Sequence, residues 1–493
     1  MTLIKRAANP RLVFLSSLSI HHVLFVKLHY CEVMTTTPKI SKPQSSDGSH
    51  SAPQNTSSAN QQNTIPAPKK GLILGGGGSK GSYTAGVWKA LKEAGEQFDI
   101  VAGTSIGALV GAMVTADDLD GCMAMLGGMN ENAVATRPFD FPGQSVNQPL
   151  KADQTQEFIT EFTKGGPDFN PLKTTYLKYF DFDKFKSSSI DFACMTYNFT
   201  QQADQAFFKK DMTKDNFMDE LLASASYFPA YNFTQINGDY YLDGSFAQII
   251  PWKTGLQMGA DSLTIVSLAE PGTKDDVPED AGFRIIRPIL KLAYSVDFDG
   301  QTMVKQAEQG YLEGLKYLNR APGYLYTFKP EDHLLIDGIN KLGTSLLKRK
   351  NVELTQELLN EIWKELLGYV PVPLETRTMK NYSIMYIIEA LGITAGVDFY
   401  RQYSLKEFLQ QILDHLDSVK GPVDSDPSSC TIWDDMQHRG IQDVIIFFHS
   451  AMNCFGTSLP PQFDVMKKTW ILPFYLALAW RIIEKSRWIW NLI

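Results

Sequence analysis

The chain has 493 residues, enough for about two to four domains with a sizeable core. Its composition, 44% hydrophobic, 20% charged and 12% aromatic, is that of a globular protein rather than a disordered or fibrous one. A net charge of −8 lacks the basic face that phosphate neutralisation requires, which excludes nucleic acid as an expected partner. The five cysteines, Cys31, Cys122, Cys194, Cys430 and Cys454, are scattered and never stand in a C-x-x-C spacing, so a disulfide framework or zinc site is not expected.

At the N-terminus, Lys5, Arg6 and Arg11 precede an apolar run over residues 12–28 that superficially resembles a secretory signal. His21 and His22 interrupt it, and His29-Tyr30-Cys31 follows where small residues would mark cleavage. Translation from Met34 is the alternative. Residues 35–68 are dominated by Ser, Thr, Gln, Asn and Pro, cannot bury enough apolar surface to fold, and are expected to form a disordered leader.

Order is expected to begin at Lys69. Leu72-Ile73-Leu74 predicts a strand, residues 79–94 a helix with Tyr83, Val87 and Leu91 on one face, residues 98–104 a second strand, and residues 105–115 a small-residue helix. This alternation predicts parallel strands joined by crossover helices, an α/β sandwich. Residues 117–186 are loop-and-helix material able to cover a site, with 139–179 a guess at a lid from position and aromatic content. Strands follow near 190–200, 206–209, 240–242 and 262–268, with helices at 216–227 and 304–318. A strand at 324–328 is expected to close the unit. Beyond Pro330 the pattern turns helical, at 335–349, 354–367, 405–419 and 443–452, which marks a second domain over 331–493 after a first over 69–330.

Two glycine-rich turns carry the chemistry. Gly103-Thr104-Ser105-Ile106-Gly107 sits between strand and helix patterns, the context in which a G-x-S-x-G turn exposes its serine as a nucleophile. The bland alternative is a serine that merely caps a helix. Gly75 to Gly81 admits three readings. As a Walker loop it fails, since Ser79-Lys80-Gly81-Ser82 holds no Gly-Lys-Ser/Thr. Gly76, Gly78 and Gly81 match a dinucleotide fingerprint in spacing, but the second strand ends in Thr104-Ser105 rather than an acidic residue. The third is an oxyanion hole, in which the N–H groups of Gly76, Gly77 and Gly78 meet a developing alkoxide, helped by the following helix and by Lys80. Ser105 after the next strand favours it.

No histidine occurs between His50 and His333, so a base for Ser105 within this segment must be something else. Asp-Gly occurs at Asp47, Asp120, Asp243, Asp299 and Asp337, and only Asp243 follows a compact aromatic strand, Tyr240-Tyr241-Leu242. An ordinary turn is its bland alternative. An unperturbed aspartate is about 2.6 pKa units less basic than histidine, roughly 3.5 kcal/mol, which desolvation beside Ser105 would partly recover.

In this order the elements resemble the patatin-like phospholipase family over residues 69–266. Leu72 to Gly81 matches its glycine-rich loop with basic Lys80, and residues 85–91 its following helix. Gly103 to Gly107 matches its nucleophile elbow, residues 223–230 the small-residue segment before its aspartate, and Asp243-Gly244 the aspartate and its glycine. Ser245 departs from the Gly or Ala that usually follows. The resemblance implies an α/β/α sandwich with a mostly parallel central sheet, a Ser105–Asp243 dyad, and phospholipase A or lysophospholipase chemistry with no metal or cofactor. It also implies phospholipid or lysophospholipid substrates. Bacterial toxins and effectors of this class often join the domain to a helical membrane-targeting one, which would imply action at host membranes and a possible host-protein activator. Four of the eight tryptophans, Trp470, Trp480, Trp488 and Trp490, lie among Lys467, Lys468, Arg481, Lys485 and Arg487, a mixture suited to a membrane interface. A helix docked on the core is the alternative. A catalytically silent lipid-binding protein is the alternative for the whole.

Overall fold

The computed structural model describes residues 67–135, 170–228, 231–295, 297–349, 352–374, 382–419 and 436–491. The proposed leader up to residue 66, with Cys31, and Cys430 lie outside them, as does most of the suggested lid. Eight strands form the main sheet: β1 (Lys70–Leu74), β2 (Ile100–Thr104), β3 (Asp191–Asn198), β4 (Ala203–Phe208), β5 (Thr234–Ile236), β6 (Asp239–Asp243), β7 (Ser262–Val266) and β8 (Arg284–Ile286). The helices around it are α1 (Gly81–Glu93), α2 (Ile106–Thr115), α3 (Leu119–Gly127), α4 (Asn170–Tyr179), α5 (Phe217–Ala225), α6 (Trp252–Gln257) and α7 (Gly300–Tyr317).

β1 shows a short apolar run, buried from Gly71 to Leu74, and β2 is buried throughout. Such runs suit strands covered on both faces. β1 lies parallel between β2 and β7, β2 is parallel to β3, and β7 to β8. The expected parallel run is thus present, but the sheet is mixed, because β4 and β6 both pair antiparallel with β3, and β5 with β6. All ten residues of α2 are buried, which its small, apolar sequence permits. On one side, α1 and α7 cross with backbones touching: a Cβ at Gly86 would fall 1.8 Å from the Ala307 carbonyl oxygen, and one at Gly310 2.0 Å from that of Tyr83. No side chain fits at either point.

The expected closing strand shrinks to β9 (Thr327–Phe328), which pairs outside the main sheet with β10 (Gln402–Tyr403). Its N-terminal part is instead taken up by a side chain. The Glu389 carboxylate accepts the N–H groups of Tyr324, Leu325 and Tyr326, which satisfies them without a neighbouring strand. The longer helices beyond these are α8 (His333–Lys348), α9 (Gln356–Leu367), α10 (Ser383–Thr394), α11 (Leu405–Ser418), α12 (Ile441–Phe455) and α13 (Ile471–Lys485). They share an apolar core separate from that of the sheet's α1 and α2 face. Trp480 and Trp490 are buried in it and Trp470 is packed against it, so of the four clustered tryptophans only Trp488 is exposed, at 64%. The C-terminal aromatic cluster is therefore chiefly core. Pro473 causes no break, since it stands in the first turn of α13, where its missing N–H has no intrahelical partner to lose.

Candidate active site

β3 brings the two candidate catalytic residues together. β2 pairs with its first part, ending at Thr104 opposite Met195, and β6 with its last part, ending at Asp243 opposite Thr196. β4 pairs along the other edge from Ala193 to Asn198. Thus β2 and β6 approach head-on along one edge of β3, and their carboxyl ends meet at adjacent register positions. Residues far apart in sequence become neighbours by strand pairing alone.

At the end of β2 the chain turns sharply. Ser105 has φ 56° and ψ −126°, a conformation costly for a residue with a Cβ. The turn tolerates no side chains beside it. A Cβ at Gly103 would lie 2.2 Å from the Gly107 carbonyl oxygen, and one at Gly107 2.4 Å from that of Leu74. The Ser105 side chain caps no helix N–H, which removes the N-cap alternative. It acts on the Asp243 carboxyl instead, whose charged form it favours.

Asp243 is 1% exposed. Burial pushes its carboxyl up to about 6, opposed by the Ser105 side chain and by the backbone and side chain of Ser245, which favour the charged form. The Ser245 N–H donates to Oδ1 at 2.7 Å. The serine that departs from the family pattern therefore acts on the carboxylate directly. Gly244 is required for close packing, since a Cβ there would sit 2.1 Å from the Met195 carbonyl oxygen.

The glycine-rich loop lies against the elbow, with the Cβ position of Gly76 3.4 Å from Ser105 Cβ. One of its three expected donors is already committed: the Gly76 N–H donates to the Ile249 carbonyl at 2.9 Å. Gly76 shapes the loop without being free to bind an oxyanion. Among the described residues no acceptor takes the N–H of Gly77 or Gly78. A short 3-10 turn at Gly78–Lys80 leads into α1, so both N–H groups lie at the positive end of a helix. Gly78 has φ +58°, and a Cβ there would fall 1.9 Å from the Ser295 carbonyl oxygen. Gly81 is packed on Ile106, whose Cγ1 is 2.1 Å from its would-be Cβ, which docks the loop onto α2. Lys80 is nearly buried, and its Nζ lies 3.6 Å from Glu270 Oε1.

Three supports had no signal in the sequence beyond residue type. The Ser224 hydroxyl accepts the Ser105 N–H at 2.9 Å and donates to the Met195 carbonyl at 2.6 Å, fixing the elbow to β3. The Thr104 hydroxyl donates to Gln248 O at 2.7 Å, joining the end of β2 to the turn after Asp243. The carbonyls of Tyr294 and Ser295 take the Ser79 hydroxyl and N–H at 2.7 and 2.8 Å. Of the suggested lid, only α4 at its end is described, and it is anchored, with the Tyr176 hydroxyl donating to Leu109 O at 2.8 Å.

A serine with a buried carboxylate partner, beside unpaired N–H groups at a helix N-terminus, is equipped for acyl transfer. The family model described as Patatin-like phospholipase matches residues 72–255. Over 47 residues the chain is 55% identical to lysophospholipase nte1 of Aspergillus oryzae, a match covering 10% of this chain and 3% of that protein. Over 51 residues it is 53% identical to the patatin-like phospholipase domain-containing protein ZK370.4 of Caenorhabditis elegans, covering 10% and 4%. The chain thus matches only a small part of the length of these curated relatives. Among solved structures, VipD from Legionella pneumophila is similar at 14% identity over 85% of this chain and 91% of that one, with a TM-score of 0.33, too low to argue from. The family match spans the loop, the elbow and Asp243 together: this chain carries a patatin-like phospholipase domain over residues 72–255.

Proposed function

We propose that the protein is a lipid acyl hydrolase of the phospholipase A or lysophospholipase type, working through Ser105 and Asp243. The meeting of an elbow serine at positive φ with a buried carboxylate, at the abutting ends of β2 and β6, is the observation that carries this. Ser105 Oγ attacks the ester carbonyl carbon of a fatty-acyl chain as its proton passes to Asp243. The N–H groups of Gly77 and Gly78 hold the resulting oxyanion. Collapse expels the lysolipid or alcohol oxygen, which takes the proton back from Asp243. Water then attacks the acyl-enzyme, giving its proton to Asp243, and the fatty acid leaves as Ser105 regains its hydrogen. Burial of Asp243 supports its role as base, since a carboxyl raised to about 6 recovers most of the basicity that an ordinary aspartate lacks beside histidine.

An apolar substrate fits the surroundings. Tyr227 next to Asp243, Ile249 on the segment that holds Gly76, and Tyr294 on the segment that holds Ser79 are 50%, 46% and 46% exposed. Large apolar side chains left in water around a site are suited to an acyl chain or a lipid surface. Residues 69–330 form the catalytic part of this proposal and 331–493 a helical domain, whose core also takes in Ile289, Leu290, Tyr324, Tyr326 and Phe328. Fatty-acid release from phospholipid and lysophospholipid vesicles, with and without a eukaryotic cell extract, tests it. The wild type is expected to release fatty acid, and Ser105→Ala to lose at least about a thousandfold in rate. A wild type that binds vesicles but releases nothing under either condition would leave the silent lipid-binding protein as the better account.

A further inference from the structure

The oxyanion loop is not held by its own neighbours alone. Between β8 and α7 the described residues form neither helix nor strand, and those from Arg287 to Ala293 are held by α7. Gln306, Gln309, Glu313 and Tyr317 fall at spacings that share one helical face. Tyr317 Oη donates to Arg287 O at 3.1 Å. Glu313 accepts the N–H of Ile289 at 2.8 Å and of Leu290 at 3.3 Å, Gln309 donates to Leu290 O at 2.9 Å, and Gln306 accepts the N–H of Ala293 at 3.0 Å. Immediately beyond, the carbonyls of Tyr294 and Ser295 grip Ser79, and the Ser295 oxygen fills the space where Gly78 lacks a Cβ. Glu313 also accepts the Tyr83 hydroxyl at 2.8 Å, from the first turn of the helix that the loop enters. One buried carboxylate therefore holds the segment on one side of the oxyanion loop and the helix on the other.

We propose that Gln306, Gln309 and Glu313 are positioning residues for the oxyanion loop, acting through residues 287–295 on Gly78 and Ser79. This rests on the acyl-hydrolase proposal for its catalytic consequence but not for the mechanical coupling itself. The irregular segment has no sheet ladder for its N–H groups; the side chains of α7 take those of Ile289, Leu290 and Ala293, and the Tyr369 hydroxyl takes that of Lys291 at 3.0 Å. Oxyanion donors act only when aimed at where charge develops, so loosening the segment should weaken transition-state binding and spare ground-state binding.

The test uses the full chain with Gln306→Ala, which removes one bond, and Glu313→Gln, which keeps the shape but replaces one acceptor oxygen by a donor. Amide exchange at Ser79 reads the coupling without reference to activity. It is expected to quicken by about tenfold or more in both variants while exchange in β2 is unchanged. In kinetics on lysophospholipid, kcat is expected to fall about tenfold or more with KM within twofold. Affinity for a long-chain trifluoromethyl ketone, which forms an oxyanion on Ser105, should fall in parallel, while affinity for an ether-linked phospholipid analogue stays constant. If Glu313→Gln does not fold, Gln306→Ala decides. Unchanged Ser79 exchange overturns the proposal, as does an equal loss of ketone and ether-lipid affinity, which a merely structural role would produce. A wild type without hydrolysis but with quickened Ser79 exchange in the variants would sink the hydrolase proposal while supporting the coupling.

Discussion

The elbow at Gly103–Gly107 and the loop at Gly75–Gly81 stand side by side, yet they are held in different ways. The elbow is shaped mostly from within. Its glycines pack against Gly107 and against Leu74 of the neighbouring strand, with two remote bonds, from Ser105 to Ser224 and from Thr104 to Gln248. The loop is shaped from afar, by Val266 and Ile249 on Gly75 and Gly76 and by Tyr294 and Ser295 on Ser79. A local motif can thus encode a strained nucleophile, whereas the donors that serve it depend on chain folded much later in the sequence. Electrostatic preorganisation needs both.

The sharpest way to break this contrast is at Ser105. Ser105→Gly should abolish hydrolysis as fully as Ser105→Ala, yet be more stable than the alanine variant by about 1 kcal/mol, because glycine adopts φ 56° without a Cβ penalty. Denaturant midpoints measure this, and equal stability would mean that the elbow stores no strain.

Asp243→Asn should lose activity by at least about a hundredfold, since the amide cannot take the serine proton. Its stability effect has a definite sign. Burial raises the folded-state carboxyl to about 6, so the folded state holds a proton that the unfolded chain releases near pH 4. The cost of burying the charge is absent below about pH 4, grows through pH 4 to 6, and is complete above. Asp243→Asn should therefore be more stable than wild type at pH 7, by up to about 2–3 kcal/mol, and no more stable at pH 4. Melts at the two pH values decide it. Wild-type activity should fall with acidity below about pH 6, as the base becomes protonated.

The loop offers an internal comparison. Gly78→Ala places a Cβ 1.9 Å from Ser295 O at φ +58° and should cost several-fold more in kcat than Gly76→Ala. At Gly76 the nearest atom to a Cβ is Thr104 Cγ2 at 3.3 Å, and its N–H is bound to Ile249. Equal losses would put the free donors elsewhere. The smallest effect is expected at Ser245→Ala. Losing a side-chain hydrogen bond to the charged form should raise the Asp243 pKa further and move the acid limb of the pH–rate profile upward by about half a unit. A downward shift would mean that Ser245 does not donate to the carboxylate.

Much of the site was legible because its parts announce themselves locally. Strand, glycine, serine, glycine and helix in succession leave few conformations besides the elbow. The missing histidine and the aromatic strand before Asp243 then narrowed the base. What could not be read was pairing. That the expected strand near Tyr324 would be met by the Glu389 carboxylate, that the tryptophans would turn into a core, and that Gly76 would spend its N–H on Ile249 all depend on chain brought in from a distance.

By itself, the sequence determined the two turns and the residue types at the site, because φ/ψ preferences and strand-to-helix patterning act over a few residues. Only the tertiary structure decided which residues meet. The ends of β2 and β6 abut on β3, which seats Asp243 against Ser105, and the segment after β8 lies on α7, which aims the loop. Hydrogen-bond registry and burial are properties of the assembled chain, and no short stretch of sequence contains them.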